Sequence, residues 1–201
     1  MHETSELNVS QDILDTFLYE TIEGIPFYYK RYKEVLRGHK TPEEIMGSST
    51  LQSLLISRIL RFLYKNLDED KYEILTNEAG LHLGLKNNLA LDIAIFEFAT
   101  LSQEPLDDTY TQVIPLIVIE VDNKIEAENF SDSADYYYLK TQKLLDAGVE
   151  KVIWITHKVP KVTLATPQQD WITSNWNKEI ELLPDIRFSV NGLLNAWKIS
   201  S

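Results

Sequence analysis

Two acidic residues stand where the surrounding sequence is apolar, and a third follows close behind. Asp92 interrupts Leu89-Ala90-Leu91 and Ile93-Ala94-Ile95, Glu120 ends the run from Ile114 to Ile119, and Asp122 follows two residues later. An ionised carboxylate in such surroundings is costly unless it is paired or bound to a metal. If the Glu120 strand continues, its period of two sends Glu120 and Asp122 out of the same face. Convergent carboxylates without Cys or His suit a hard divalent cation, Mg²⁺ or Mn²⁺, rather than zinc. Taken singly, each acid is as well explained by a wet strand end or by a lysine partner; the pattern shared by all three favours a site. Lysines are the natural complement, because an ammonium close to a metal-bound water can orient it or offset charge at phosphorus. Lys124 shares the Glu120 face by period two, whereas Lys140 and Lys143, three apart on a helix, project to roughly one side. All three are candidates. Other chemistries lack their residues: there is no G-x-S-x-G, Walker loop, G-x-G-x-x-G or H-E-x-x-H, no cysteine, and the four histidines are scattered singly.

The elements that must position these residues follow from periodicity. Ile13, Leu14, Phe17 and Leu18 have helical spacing behind Ser10 as N-cap, and Glu23-Gly24 between Tyr19–Ile22 and Ile25–Tyr29 predicts a hairpin. Thr41-Pro42-Glu43-Glu44 starts a helix whose apolar stripe continues to about Leu67, with an interruption near Gly47. The period then changes to two, predicting strands at Tyr72–Leu83 and Leu89–Phe96 joined through Lys86-Asn87-Asn88. Residues Glu97 to Tyr110 read as an acidic loop. A buried strand ending at Glu120, a helix from Ser131 to Ala147 capped by Gly148, and a buried strand at Val152–Thr156 predict a crossover between neighbouring parallel strands. Short strands at Lys161–Ala165 and Glu179–Leu183 and a last helical turn or two at Val190–Trp197 complete the pattern.

The chain has 201 residues, 44% hydrophobic and 25% charged, which predicts one domain, 11–201, behind a flexible N-terminus, 1–10. Nineteen Lys and Arg against 31 Asp and Glu leave a net charge of −12, which argues against general coating of nucleic acid. Any DNA contact must therefore be local. Lys30, Arg31, Lys33 and Arg37, with His39 and Lys40, form the concentrated basic segment of the first half and are the candidates for phosphate contact. The polar N-terminus carries no secretory signal, and no apolar run approaches the roughly 20 residues of a spanning helix, so a cytoplasmic location and no membrane partner are expected. A homodimer is left open.

Joined to their surroundings, the acids form a recognisable series. Tyr19-Glu20-Thr21-Ile22-Glu23-Gly24, Leu91-Asp92-Ile93-Ala94, Ile117-Val118-Ile119-Glu120-Val121, Lys140 eight residues before Gly148, and Val152-Ile153-Trp154 follow one another in order. The chain resembles the restriction-endonuclease family first noted for its abundance in cyanobacteria, a branch of the PD-(D/E)xK nuclease superfamily. The resemblance runs from about Leu18 to Leu183-Pro184-Asp185-Ile186, which is similar to that family's Leu-Pro-Gly ending. It implies a mixed α/β, restriction-endonuclease-like fold with a central mixed β-sheet flanked by α-helices. It further implies Asp92 and Glu120 as metal ligands, Glu20 contributed from the N-terminal region, and a catalytic lysine moved onto the following helix, where Lys140 matches. Leu91 replaces the usual Pro, Asp122 stands where the superfamily's own lysine would be, and Gln52 occupies a position where the family usually has His.

The crossover helix packs beside the Glu120 strand, which ranks Lys140 first and Lys124 second. The resulting expectation is a Mg²⁺- or Mn²⁺-dependent endonuclease that hydrolyses DNA phosphodiester bonds by metal-activated water. Asp92, Glu120 and Lys140 are its catalytic set, Asp92, Glu120 and Asp122 its metal ligands, and Glu20, Asp122 and Lys124 further candidates. The alternative is a catalytically inactive acidic interaction protein that keeps the nuclease fold. Of the three consecutive tyrosines, Tyr136 to Tyr138, at least one is expected in the core, because successive helix positions point in three directions.

Overall fold

A computed structural model describes residues 10–121, 125–126 and 133–198. Nearly all of the expected flexible N-terminus, Asp122 and Lys124 lie outside these residues. The chain begins with a short helix α1 (Gln11–Asp15) and a hairpin, β1 (Leu18–Ile22) and β2 (Ile25–Tyr29). Glu23 and Gly24 both adopt positive φ, 53° and 80°, as a turn matched to strand twist requires. Asn87 Oδ1 accepts from the Glu23 N–H at 2.8 Å, tying this turn to a later one.

The basic segment contains a short helix α2 (Tyr32–Leu36), and the stripe beginning at Thr41 divides into α3 (Glu43–Met46) and α4 (Thr50–Asn66). The break falls at the expected place because Gly47 is extended and the Ser49 side chain caps α4, accepting from the Gln52 N–H at 3.2 Å. Next come β3 (Tyr72–His82) and β4 (Asn88–Glu97), followed by α5 (Phe98–Leu101), a turn of helix inside the stretch read as loop. Then follow β5 (Ile117–Val121), the two-residue β6 (Ile125–Glu126), α6 (Ser133–Ala147), β7 (Lys151–Thr156) and β8 (Lys161–Ala165). The chain closes with β9 (Ile172–Asn175), β10 (Ile180–Leu183), β11 (Ile186–Phe188) and α7 (Val190–Lys198). Sequence periodicity did not reveal β9 or β11. The first is a largely exposed edge strand without apolar alternation, and the second is three residues long. In the β10–β11 turn Asp185 adopts φ 66°, a conformation that glycine takes without strain, which explains the resemblance of this turn to a Leu-Pro-Gly ending.

The main sheet has the order β6-β2-β1-β4-β5-β7-β8-β9, with β3 also paired to β4; the β5–β7 pairing is parallel and the others are antiparallel. α6 connects the parallel pair, as a crossover requires. One face packs Val118, Val152 and Trp154 against Tyr136, Leu144 and Leu145 of α6. The other packs Ile93, Ile119 and Ile153 against Leu55, Ile59 and Leu63 of α4 and Val190 of α7. The two faces explain why β5 and β7 read as continuous apolar runs: both sides are covered. Among the described residues no helix is long and apolar enough to cross a membrane.

Candidate functional site

The sheet splits at β4. One edge of β4 is paired with β3 along its length, while the other carries β1 at Asn88 and β5 from Ile93 to Ile95. Between these attachments β1 and β5 diverge, and the backbone of Ala90 is left to side chains. Its N–H donates to Glu20 Oε2 at 3.1 Å, and its carbonyl accepts from Lys140 Nζ at 2.8 Å. Buried backbone groups must be satisfied, so the split itself creates a demand for one acceptor and one donor. A register shift between Leu18 and Glu20 on β1 re-aims Glu20 into the gap.

Lys140 comes from the face of α6 that lies over the sheet. Its ammonium stands 3.0 Å from Glu20 Oε2 and 3.1 Å from Glu120 Oε1, and the residue is completely buried. The Glu120 contact is an ion pair off the line of a well-formed hydrogen bond. The rings of Tyr19, Tyr136 and Trp154 surround the ammonium, each centroid 5.9 Å away. Tyr136 donates its hydroxyl to Glu20 Oε1 at 2.5 Å, holding the carboxylate that holds the lysine.

Asp92 and Glu120 face one another across β4 and β5, one step beyond the Ile93–Ile119 pair, and so leave the same face of the sheet. Asp92 Oδ2 accepts from the Val121 N–H at 2.8 Å, and the Val121 carbonyl accepts from Gln52 Nε2 at 2.8 Å. Opposite Asp92, β3 carries a bulge in which Asn77 and Glu78 both take positive φ, and Glu78 accepts from the Tyr29 hydroxyl at 2.9 Å. Asp92 also borders a cleft of about 700 Å³ between α4 and this bulge, with Arg61, Tyr64 and Glu78 among its walls.

Burial drives the electrostatics. Desolvation raises the Glu120 carboxyl to about 8; Lys140 opposes the rise, and Asp92 and Glu20 add to it. Burial thus favours the neutral form of Glu120, while the neighbouring Lys140 favours the carboxylate. Desolvation opposes the Lys140 ammonium, but Glu120 and Glu20 outweigh it and hold its pKa above the ordinary lysine value. Tyr19 and Tyr136 are pushed well above the ordinary tyrosine range by burial first and by the carboxylates second. The lysine is thus a permanent cation rather than a base.

Glu20, Asp92, Glu120 and Lys140, separated by up to 120 positions, meet in this one buried cluster. Lys30, Arg31, Lys33 and Arg37 lie instead at or near the surface on the segment leaving β2, with Arg31 Nε 3.8 Å from Glu34. Among the described residues no group of three or more His, Cys, Asp or Glu side chains is placed to hold a metal ion. The three-carboxylate site expected from Asp92, Glu120 and Asp122 is accordingly reduced, within the described residues, to the Asp92–Glu120 pair. That pair still offers an all-oxygen donor set, and Mg²⁺ is commonly held by one or two carboxylates with water completing its shell.

The arrangement is consistent with a restriction-endonuclease-like fold. A solved structure from Anabaena variabilis ATCC 29413, described as a "putative nuclease belonging to DUF820", superposes with a TM-score of 0.63 at 13% identity. The similarity covers 88% of this chain and 89% of that one, and it is a similarity of fold. No family model matches the chain, and no curated protein matches it.

Two members of the site were missed from the sequence. Tyr136 lies one helical turn before Lys140, a spacing that puts both on one side of α6 and could have marked it. Gln52, which departs from the histidine of the resembled family, is buried and supports the β5 backbone that in turn supports Asp92. No local signal announces that role, since its partner is 69 positions away.

Proposed function

We propose that this chain is a metal-dependent endonuclease of the PD-(D/E)xK superfamily that hydrolyses DNA phosphodiester bonds. The observation that supports this reading best is the assembly of Asp92, Glu120, Glu20 and Lys140 where β1 and β5 part from β4. Asp92 and Glu120 would hold Mg²⁺ or Mn²⁺, which when bound supplies Lewis acidity toward the phosphate and a more acidic water nucleophile. Lys140, kept charged by Glu20 and Glu120, offers a fixed cation for the charge that grows on the phosphoryl oxygens. Glu20, held by the Ala90 N–H and the Tyr136 hydroxyl, fixes where that cation stands. A metal ligand must be the carboxylate, so any proton that burial keeps on Glu120 leaves when the ion binds, and proton release accompanies binding below about pH 8. The deciding experiment is incubation of several DNA forms with Mn²⁺, alongside calorimetric titration of the ion. Cleavage with binding supports the reading, and the absence of both overturns it.

A second reading, an interaction protein that retains the scaffold without activity, has one specific observation in its favour. Lys140 is fully enclosed, and its ammonium is already engaged by two carboxylates and a carbonyl. Such a cluster stabilises a protein core without any substrate.

For DNA contact we propose the segment containing Lys30, Arg31, Lys33 and Arg37, which follows Tyr29, the partner of Glu78 beside the site. Replacing all four by Ala should weaken duplex binding in Ca²⁺ and flatten its salt dependence by about 0.9 in slope per lost phosphate contact. Unchanged binding and slope in this variant would remove the segment from the DNA surface.

A further inference from the structure

A second cavity, of about 240 Å³, lies between α6 and the strands β7, β8 and β9, and the proposed hydrolysis does not use it. Every side chain lining it is uncharged. Strand register sets Trp154, Thr163 and Thr173 in a row across three neighbouring strands, with the Thr163 and Thr173 hydroxyls 2.9 Å apart. From α6, Thr141 closes one side, 1% exposed, its hydroxyl accepting from Trp154 Nε1 at 2.8 Å. Tyr137 meets Trp154 edge-on at 4.3 Å, and at the mouth Tyr138 stacks on Trp171 with centroids 5.1 Å apart and planes inclined by 21°.

The polar lining begins beneath the helix, where Thr141 is buried although Val has the shape of Thr without a hydroxyl to desolvate, and runs outward through part-buried Thr163 to exposed Thr173. Here threonines and aromatic rings border an open volume, with Thr141 buried against Trp154 and the Thr163–Thr173 pair running out to the exposed edge strand β9. The volume is below the roughly 300 Å³ at which pockets for drug-sized ligands begin, so the space suits a single small ring system. The near-parallel Tyr138–Trp171 pair offers a flat stacking surface, the threonine row offers donors and acceptors to a polar edge, and the lack of charge disfavours a phosphate.

We propose that this cavity is a subsite for one unstacked nucleobase, stacked on the Tyr138–Trp171 pair with its hydrogen-bonding edge toward the threonines. The inference rests on the DNA reading above and sharpens it, because a base can enter only from a single-stranded or locally unpaired segment. Trp154 joins the two places: it floors the cavity and is one of the three rings around the Lys140 ammonium. Stacking also supplies affinity that a surface of net charge −12 withholds from phosphate contacts.

The test is quenching of tryptophan fluorescence in EDTA by pentathymidylate and by an oligonucleotide of the same length in which every residue is abasic. The intact oligonucleotide should bind roughly 5- to 160-fold more tightly than the abasic one, the range expected for stacking of one base. Tyr138→Ala, at a side chain that is 60% exposed, should lose that preference while melting as the wild type does. Thr163→Val should keep it and alter the ranking of pentathymidylate against its adenine and cytosine counterparts. Equal affinity for the intact and abasic probes overturns the proposal, as does displacement of the oligonucleotide by millimolar choline, which would mark a cation cage. Cleavage in Mn²⁺, measured in parallel, separates the two claims. Cleavage without base preference removes the subsite and leaves the nuclease, whereas base preference without cleavage does the reverse.

Discussion

Lys140→Met should destabilise the protein by about 3–5 kcal/mol at pH 8, the cost of leaving buried charge without its partner. The ammonium stands 3.0 Å from Glu20 and 3.1 Å from Glu120, with no exposure to water. Methionine nearly fills the space but cannot donate to the Ala90 carbonyl or balance the carboxylates. The deficit should shrink on acidification, because without the cation the carboxylates regain neutrality only by taking up protons. Adding Glu20→Gln and Glu120→Gln should recover part of the loss, since a cluster emptied of charge no longer needs the lysine. Urea unfolding of the three proteins at pH 5.5 and pH 8 measures both effects. A Lys140→Met variant within about 1 kcal/mol of the wild type at pH 8 would mean that the ammonium is not confined between those carboxylates.

Glu120→Gln and Asp92→Asn should each reduce Mn²⁺-dependent DNA cleavage on the order of a thousandfold, about 4 kcal/mol of transition-state stabilisation. The same substitutions should abolish most of the rise in melting temperature that the ion produces, a stabilisation of about 2.7 kcal/mol at a hundred times Kd. The pH dependence distinguishes this from a general loss of fold. In the metal-free wild type the Glu120 carboxyl titrates near 8, above its unfolded value of 4.5, so between those values the folded state holds a proton that the unfolded state has lost. Stability contributed by this group therefore falls as pH rises through the window, with a limiting slope of about 1.4 kcal/mol per pH unit. Glu120→Gln should flatten that slope, and it should also remove the increase in metal stabilisation between pH 6 and pH 9. A metal response that survives in both variants would place the ion elsewhere.

The hairpin turn at Glu23-Gly24, the interruption near Gly47, the period change at Tyr72 and the crossover through α6 were all legible in the sequence. Each depends on neighbours within a few positions, where backbone preference and side-chain period act directly. The prominence of Asp92 and Glu120 was legible for the same reason: each is a charge set in an apolar strand, a local contradiction that demands a partner. The identity of those partners was not local. The candidacies of Lys124, Lys140 and Lys143 could not be separated by helix or strand period, because the choice depends on how α6 packs over β1 and β5.

Tertiary structure decided what the acids face. It is the parting of β1 and β5 from β4 that strips Ala90 of ladder partners and draws in Glu20 and Lys140. Tyr136, one of three adjacent tyrosines, becomes the donor to Glu20, while Tyr138 is left at the mouth of the second cavity. The same holds for Thr163 and Thr173, ordinary residues of short outer strands until register sets them beside Trp154. Local sequence determines which segments are strands or helices and which residues sit uneasily in them. Pairing between distant strands, with the burial it produces, determines which charges meet, because desolvation and Coulomb terms depend on distances through space and not along the chain.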